Sequence, residues 1–170
     1  MTLAEHIAIW LSQIGLKHVF GVQGGSVVHL FDACERFGPK PIYCHHEQAA
    51  GFAAVAYARV AGYGCCITTT GPGATNAMTP LLGAWQDSTP CLFISGQVRT
   101  NQRSYGKRVR QVGTQEAPID MLIRTLTKEH FRGMTANALN YLYEASLQKR
   151  PGPVWLEVPQ DELWKEYEKA

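Results

Sequence analysis

Several absences narrow the possibilities for this chain of 170 residues. No C-x-x-C pair occurs among Cys34, Cys44, Cys65, Cys66 and Cys91, and an odd count of five supports no disulfide framework. Most of them sit in apolar stretches, where reduced cysteine behaves as a small hydrophobe, so a reducing, cytoplasmic setting is expected. Long hydrophobic runs are missing too. The most apolar stretch, residues 49–61, is broken by Arg59 and is too short to span a bilayer. Glu5 and His6 interrupt the N-terminus where a signal peptide would need an apolar core, so a soluble protein is expected. A net charge of +2 is too small to argue for nucleic acid or an acidic membrane as partner. No internal repeat, low-complexity segment or Pro/Gly/Ser linker divides the chain, and one domain over residues 1–170 is expected.

What is present is ordinary globular composition, 45% hydrophobic and 18% charged. A domain of this size buries roughly 70% of its unfolded surface and needs no metal or disulfide to fold. The apolar period switches repeatedly. Leu3, Ile7, Trp10, Leu11 and Ile14 recur at helical spacing until Gly15. Residues 18–22 read as a strand entering the turn Gln23-Gly24-Gly25, after which Ser26 is expected to cap a helix over 27–36. A strand over 41–45 precedes a small-residue helix from Glu47 to Ala61. Strands are then expected over 65–69, 90–95 and 154–158, with a weak one around Phe131. Helices are expected over about 74–85, 117–126 and 136–148. The polar stretch 96–113 has no clear period. This alternation predicts a doubly wound α/β fold: a mostly parallel sheet of about six strands with helices on both faces.

In such sheets ligands gather outside the carboxyl ends of the strands. Three strand-to-helix junctions fall there: Gln23-Gly24-Gly25, His45-His46-Glu47 and Gly71-Pro72-Gly73. Free helix amides at such junctions meet acceptors, though each turn by itself also reads as a mere tight connection. Glu47 stands about where a dinucleotide domain keeps its ribose-binding acid, but no turn satisfies G-x-G-x-x-G. The Lys-Ser/Thr end of a P-loop is missing as well. Glu47 opens a helix of small residues, which implies close packing and little water around a carboxyl at a helix N-terminus. Two readings stay open on these grounds: an ordinary N-terminal helix carboxylate, or a group sharing a proton with a nitrogen base.

Four segments in order, His18 to Gly25, His46 to Ala54, Thr70 to Asn76 and Arg150 to Pro159, resemble the pyrimidine-binding domain of thiamine-diphosphate enzymes. The closest likeness is to the acetolactate-synthase-like group, and it covers nearly the whole chain. The resemblance implies the thiamine-diphosphate-binding fold and a role for Glu47 as the acid that hydrogen-bonds N1′ of the cofactor's aminopyrimidine. That contact favours the imino tautomer, whose nitrogen removes the thiazolium C2 proton so that the ring can attack a 2-oxo acid. It also implies that Gln23, Gly24, Gly25, Thr70, Gly73 and Asn76 line the cofactor-facing edge, and that Gln115 lies near the substrate. Asn76 reads equally as a helix-start residue, and many relatives carry proline where this chain has Gln23.

The family's diphosphate-binding domain holds Mg²⁺ through a Gly-Asp-Gly element, which does not occur here. The resemblance therefore implies half of a shared site, with thiamine diphosphate completed and Mg²⁺ held by another domain or subunit. No metal ligand is assigned to this chain. Homo- or hetero-oligomerisation is expected. Acetolactate formation from two pyruvates is the leading expectation and simple 2-oxo-acid decarboxylation the runner-up. A small subunit of a two-chain decarboxylase, a piece of a longer enzyme and a non-catalytic assembly module stay open. The basic segment Arg99, Arg103, Lys107, Arg108 and Arg110 reads as a solvated charge run, or as a contact for a partner or an anionic group. His45 and His46 read as structural.

Overall fold

The computed structural model describes residues 1–135 and 137–167. Helix α1 (Leu3–Gln13) starts at a capping box: Thr2 Oγ1 accepts from the Glu5 amide at 3.2 Å, and Glu5 Oε2 accepts from the Thr2 amide at 2.9 Å. Then come β1 (His18–Gly21), α2 (Val28–Phe37), β2 (Lys40–Tyr43), α3 (Glu47–Ala61) and β3 (Gly64–Thr68). Two short helices, α4 (Pro72–Asn76) and α5 (Met78–Gln86), lead to β4 (Cys91–Gln97). A long irregular segment with one 3-10 turn, Thr100–Gln102, reaches α6 (Ile119–Ile123). The chain closes through β5 (His130–Arg132), α7 (Ala138–Leu147), β6 (Val154–Pro159) and α8 (Gln160–Leu163). Ala136, the expected first residue of the seventh helix, lies outside the described residues.

The six strands lie in the order β2-β1-β3-β4-β6-β5, and every pairing is parallel. This is the doubly wound sheet that the alternation predicts. Strands β3, β4 and β6 are buried along their whole length, whereas β2 and β5 form the edges. Period-two alternation divides the core between the two faces. Cys65, Ile67, Leu92, Ile94, Val154 and Leu156 meet the leucine-rich faces of α1, α2 and α7. Cys66, Cys91, Phe93 and Trp155 meet the alanine-rich helices α3 and α5. Trp155 stacks on Phe93 with ring centroids 5.5 Å apart, and its Nε1 donates to Ser95 Oγ at 2.9 Å.

The small residues of α3 explain that helix's depth. A Cβ on Gly51 would stand 2.3 Å from Pro80 Cγ, so only glycine lets α3 approach α5 this closely. Cys34, Cys65, Cys66 and Cys91 are buried thiols, and burial pushes the Cys34 thiol up to about 12, so it packs as a neutral hydrophobe.

Three local expectations are corrected. Ser26 does not cap α2, which starts after Val27 without a side-chain cap. The expected helix over 74–85 is two helices meeting at Ala77. Pro80 has no amide to donate to the carbonyl of Asn76, so the ladder breaks there. The expected helix over 117–126 forms only over Ile119–Ile123, behind Pro118. Among the described residues, no helix is long and apolar enough to cross a membrane.

Candidate functional site

The chain leaves β1 towards β2 on one side and returns through β3 on the other, so the order in which strands are added reverses between β1 and β3. A crevice at such a switch point is where open α/β sheets place ligands. The segments after β1, β2 and β3 converge here, and they are the three junctions singled out in the sequence.

Glu47 is the first residue of α3. His46 precedes it as N-cap, its Nδ1 accepting from the Gln48 amide at 3.1 Å. The histidine thus has a structural task. The Glu47 side chain is half-buried, and its Oε2 accepts a hydrogen bond from Asn76 Nδ2 at 3.0 Å. Asn76 is the last residue of α4, so α4 fixes one carboxylate oxygen of Glu47. The other oxygen, Oε1, lies beside Gly73: a Cβ there would stand 3.5 Å from it, and 2.6 Å from Thr69 Cγ2. Gly73 therefore lets this turn close on Thr69 without crowding Oε1.

The glycine turn after β1 is held against the same residue. A Cβ on Gly24 would lie 2.4 Å from Thr69 Cβ. Ser26 joins the two loops, its Oγ 2.9 Å from Thr69 Oγ1 and accepting from the Thr70 amide at 3.1 Å. Thr70 Oγ1 donates onward to Gln97 Oε1 at 2.9 Å. Gln97, at the end of β4, also accepts from the Val98 amide at 2.8 Å and donates through Nε2 to the Ala117 carbonyl at 3.1 Å. Each buried polar group in this chain of contacts has a partner, so the network stiffens the loops.

Gln115 belongs to the same rim. Its φ is 63°, and Gly71, at φ 57° and ψ −114°, packs so closely that a Cβ would stand 2.0 Å from the Gln115 carbonyl oxygen. The Gln115 side chain is exposed. Gln23 lies near Tyr43, whose hydroxyl donates to Glu35 Oε1 at 3.0 Å. Partial burial and the Glu35 carboxylate push that phenol above its ordinary range. The Gly25 carbonyl accepts from Gln160 Nε2 at 3.0 Å, which ties the outer turn to α8.

Glu47, Gly73 and Asn76 thus stand together, with Gly24, Ser26 and Thr70 beside them around Thr69, and Gln115 at the turn's outer edge. Gln23 lies at the outer side of this group, near Tyr43. Sequence reasoning missed Thr69 and Gln97 and misassigned Ser26. A glutamine ending an otherwise apolar strand, Cys91–Gln97, was the available signal for Gln97. The arrangement presents one carboxylate, anchored on one oxygen by Asn76, beside two glycine turns packed on Thr69.

Residues 1–122 match the family described as thiamine pyrophosphate enzyme, N-terminal TPP binding domain. The chain is 36% identical to the acetolactate synthase large subunit of Corynebacterium glutamicum, over 95% of this chain and 26% of that protein. It is 35% identical to the acetolactate synthase isozyme 2 large subunit of Escherichia coli, over 95% of this chain and 29% of that protein. A third relative, the acetolactate synthase large subunit of Haemophilus influenzae, is 37% identical over 93% of this chain and 28% of its own length. The chain thus spans little more than a quarter of the length of these curated relatives.

Proposed function

Because the chain belongs to the family of N-terminal thiamine-pyrophosphate-binding domains of thiamine pyrophosphate enzymes, we propose that it supplies the pyrimidine-facing half of a thiamine-diphosphate site, with Glu47 as the proton partner of N1′. The observation that carries this reading is the carboxylate itself, held on Oε2 by Asn76 at 3.0 Å and open on Oε1 beside Gly73. Gly24 and Gly73 let both turns close on Thr69, where a Cβ at either position would collide, and so fix the loops beside the carboxylate.

When bound, thiamine diphosphate supplies the carbanion chemistry at its thiazolium C2 that opens 2-oxo acids. The chain's own residues do the rest. Glu47 Oε1 shares a proton with N1′. Asn76 occupies the second oxygen, so the carboxyl presents one face and one lone-pair direction; it acts as a positioning residue. Thr70, fixed through Ser26 and Gln97, holds the turn in place. Gln23 and Gly25 form the outer rim, and Gln115 projects where a substrate would enter. Mg²⁺ and the diphosphate belong to a second domain or subunit, and residues 1–170 act as one pyrimidine-binding domain. Phe52, Leu82 and Trp85, exposed apolar residues of α3 and α5, support association with such a partner. Likeness to acetolactate synthases favours condensation of two pyruvates as the reaction.

A titration tests the half-site. The lone chain is expected to bind thiamine diphosphate and Mg²⁺ negligibly and to recover binding when a diphosphate-binding chain is added. Tight, Mg²⁺-dependent binding by the lone chain contradicts it.

A further inference from the structure

The sheet reverses a second time. From β4 the chain crosses to the edge strand β5 and returns as β6 between them. Over this second reversal the segment 98–118 arches across the ends of β4 and β6 and encloses a cleft of about 790 Å³. That volume lies within the range of small-molecule sites.

The floor of the cleft is a buried ion pair with two unused atoms. Glu157, only 3% exposed, meets Arg103 Nη2 at 3.4 Å through Oε1. Glu157 Oε2 and Arg103 Nε are both buried, and neither has a hydrogen-bond partner. One acceptor and one donor are therefore left unmatched beneath the cleft, which is costly.

The walls are cationic. Five basic side chains face three acids in the lining, and each acid is already engaged. Glu157 pairs with Arg103, and Asp120 pairs with Arg132 at 3.4 Å. Glu116 accepts from the amides of Ser104 and Val112. Lys107, Arg110 and Arg124 have no side-chain partner among the described residues. Their charge is focused into a concave space, where phosphate oxygens are the matching acceptors. At the mouth, Tyr105 is 84% exposed and its ring lies 5.7 Å from the Arg132 guanidinium. It offers a platform for a flat ring.

We infer that this cleft binds a nucleotide-sized organic phosphate. Lys107, Arg110 and Arg124 take the phosphate, and a base rests on Tyr105. A flat protein surface would meet the outer cations but would not reach the floor. Single-stranded nucleic acid is disfavoured, because Tyr105 is the one aromatic side chain in the lining.

Isothermal titration of this chain with ADP, pyrophosphate and adenosine, in low salt and in about 0.15 M salt, tests the inference. ADP is expected to bind saturably at one site, at least tenfold tighter than either fragment. Lys107→Gln combined with Arg110→Gln should weaken ADP tenfold or more, and Tyr105→Ala severalfold. These loop side chains are exposed, and Arg36→Gln combined with Arg59→Gln, the same loss of two charges away from the cleft, should change nothing. No saturable binding at millimolar ADP would overturn the inference, as would affinity unaltered in the Lys107/Arg110 double variant. Equal affinity for ADP and pyrophosphate would also overturn it, since only unspecific attraction by the basic loop would then remain. Neither Glu47 nor Mg²⁺ enters this experiment, so its failure leaves the aminopyrimidine reading untouched.

Discussion

The two reversals of the sheet are built by opposite means. Between β1 and β3 the loops are drawn together by glycine: Gly24, Gly71 and Gly73 stand where any Cβ would strike Thr69 or Gln115. Its polar groups are neutral hydroxyls and amides, each matched to a partner, around a single carboxylate. Beyond β4 the cleft is made by adding charge, and its floor keeps a buried donor and acceptor unmatched. The first arrangement suits a rigid site that holds one group in one geometry. The second suits a site whose electrostatics are completed only by what enters it. Distinct sensitivities follow for the two regions.

The largest effect is expected at the first reversal. Gly71→Ala places a side chain at φ 57° and 2.0 Å from the Gln115 carbonyl oxygen, so about 3 kcal/mol or more of stability should be lost in urea unfolding. A loss below about 1 kcal/mol would show that the turn yields, and the contrast with the cleft would weaken.

At the second reversal the effect should depend on pH. Burial pushes the Glu157 carboxyl up to about 7, against the opposing pull of Arg103. A raised acid favours folding while protonated, so its contribution is full below the ordinary value of 4.5 and is lost as pH rises through about 7. Glu157→Gln should therefore raise stability at pH 8 by on the order of 2 kcal/mol, with the gain fading towards pH 5. Thermal unfolding at both pH values checks this, and a gain that grows on acidification would contradict it.

A smaller loss is expected for Ser26→Ala, which strands the buried Thr70 amide at a cost of about 1–2 kcal/mol. The exposed Arg59–Asp87 pair sets the baseline, and Arg59→Gln should cost less than about 0.5 kcal/mol. Denaturation of the two variants side by side should separate a matched internal hydroxyl from a solvated ion pair.

Legibility in the sequence follows the same division. Helix α3 runs from Glu47 to Ala61 as expected, because its N-cap at His46 and its C-cap at Gly62, with φ 88°, are local signals. The sheet was readable for the same reason, since its alternation is written strand by strand. Ser26 misled, because a serine before a helix looks like a cap, yet its hydroxyl is spent on residues more than 40 positions away. The grip of Asn76 on Glu47 joins two residues 29 apart, and nothing in either segment announces it. The break at Ala77 was visible in Pro80, whose missing amide outweighs the continuous apolar pattern. The basic segment was read as a solvated run or a contact surface. Arg103 departs from the solvated reading, being turned inwards onto Glu157. Charges scattered over residues 103–132 reveal a cleft only once β5 and β6 bring them together.

The central claim concerns Glu47, and proton exchange at the cofactor's C2 reports on it most directly. The assay needs this chain joined to a diphosphate-binding half, as a mixture with such a chain or as a replacement of the matching domain in the Escherichia coli relative. With cofactor binding verified in each variant, Glu47→Gln should slow C2 hydrogen–deuterium exchange by on the order of 100-fold or more. Asn76→Ala, which frees the second oxygen, should slow it by a smaller factor. Exchange at the unaltered rate in Glu47→Gln, with the cofactor bound, would contradict the account.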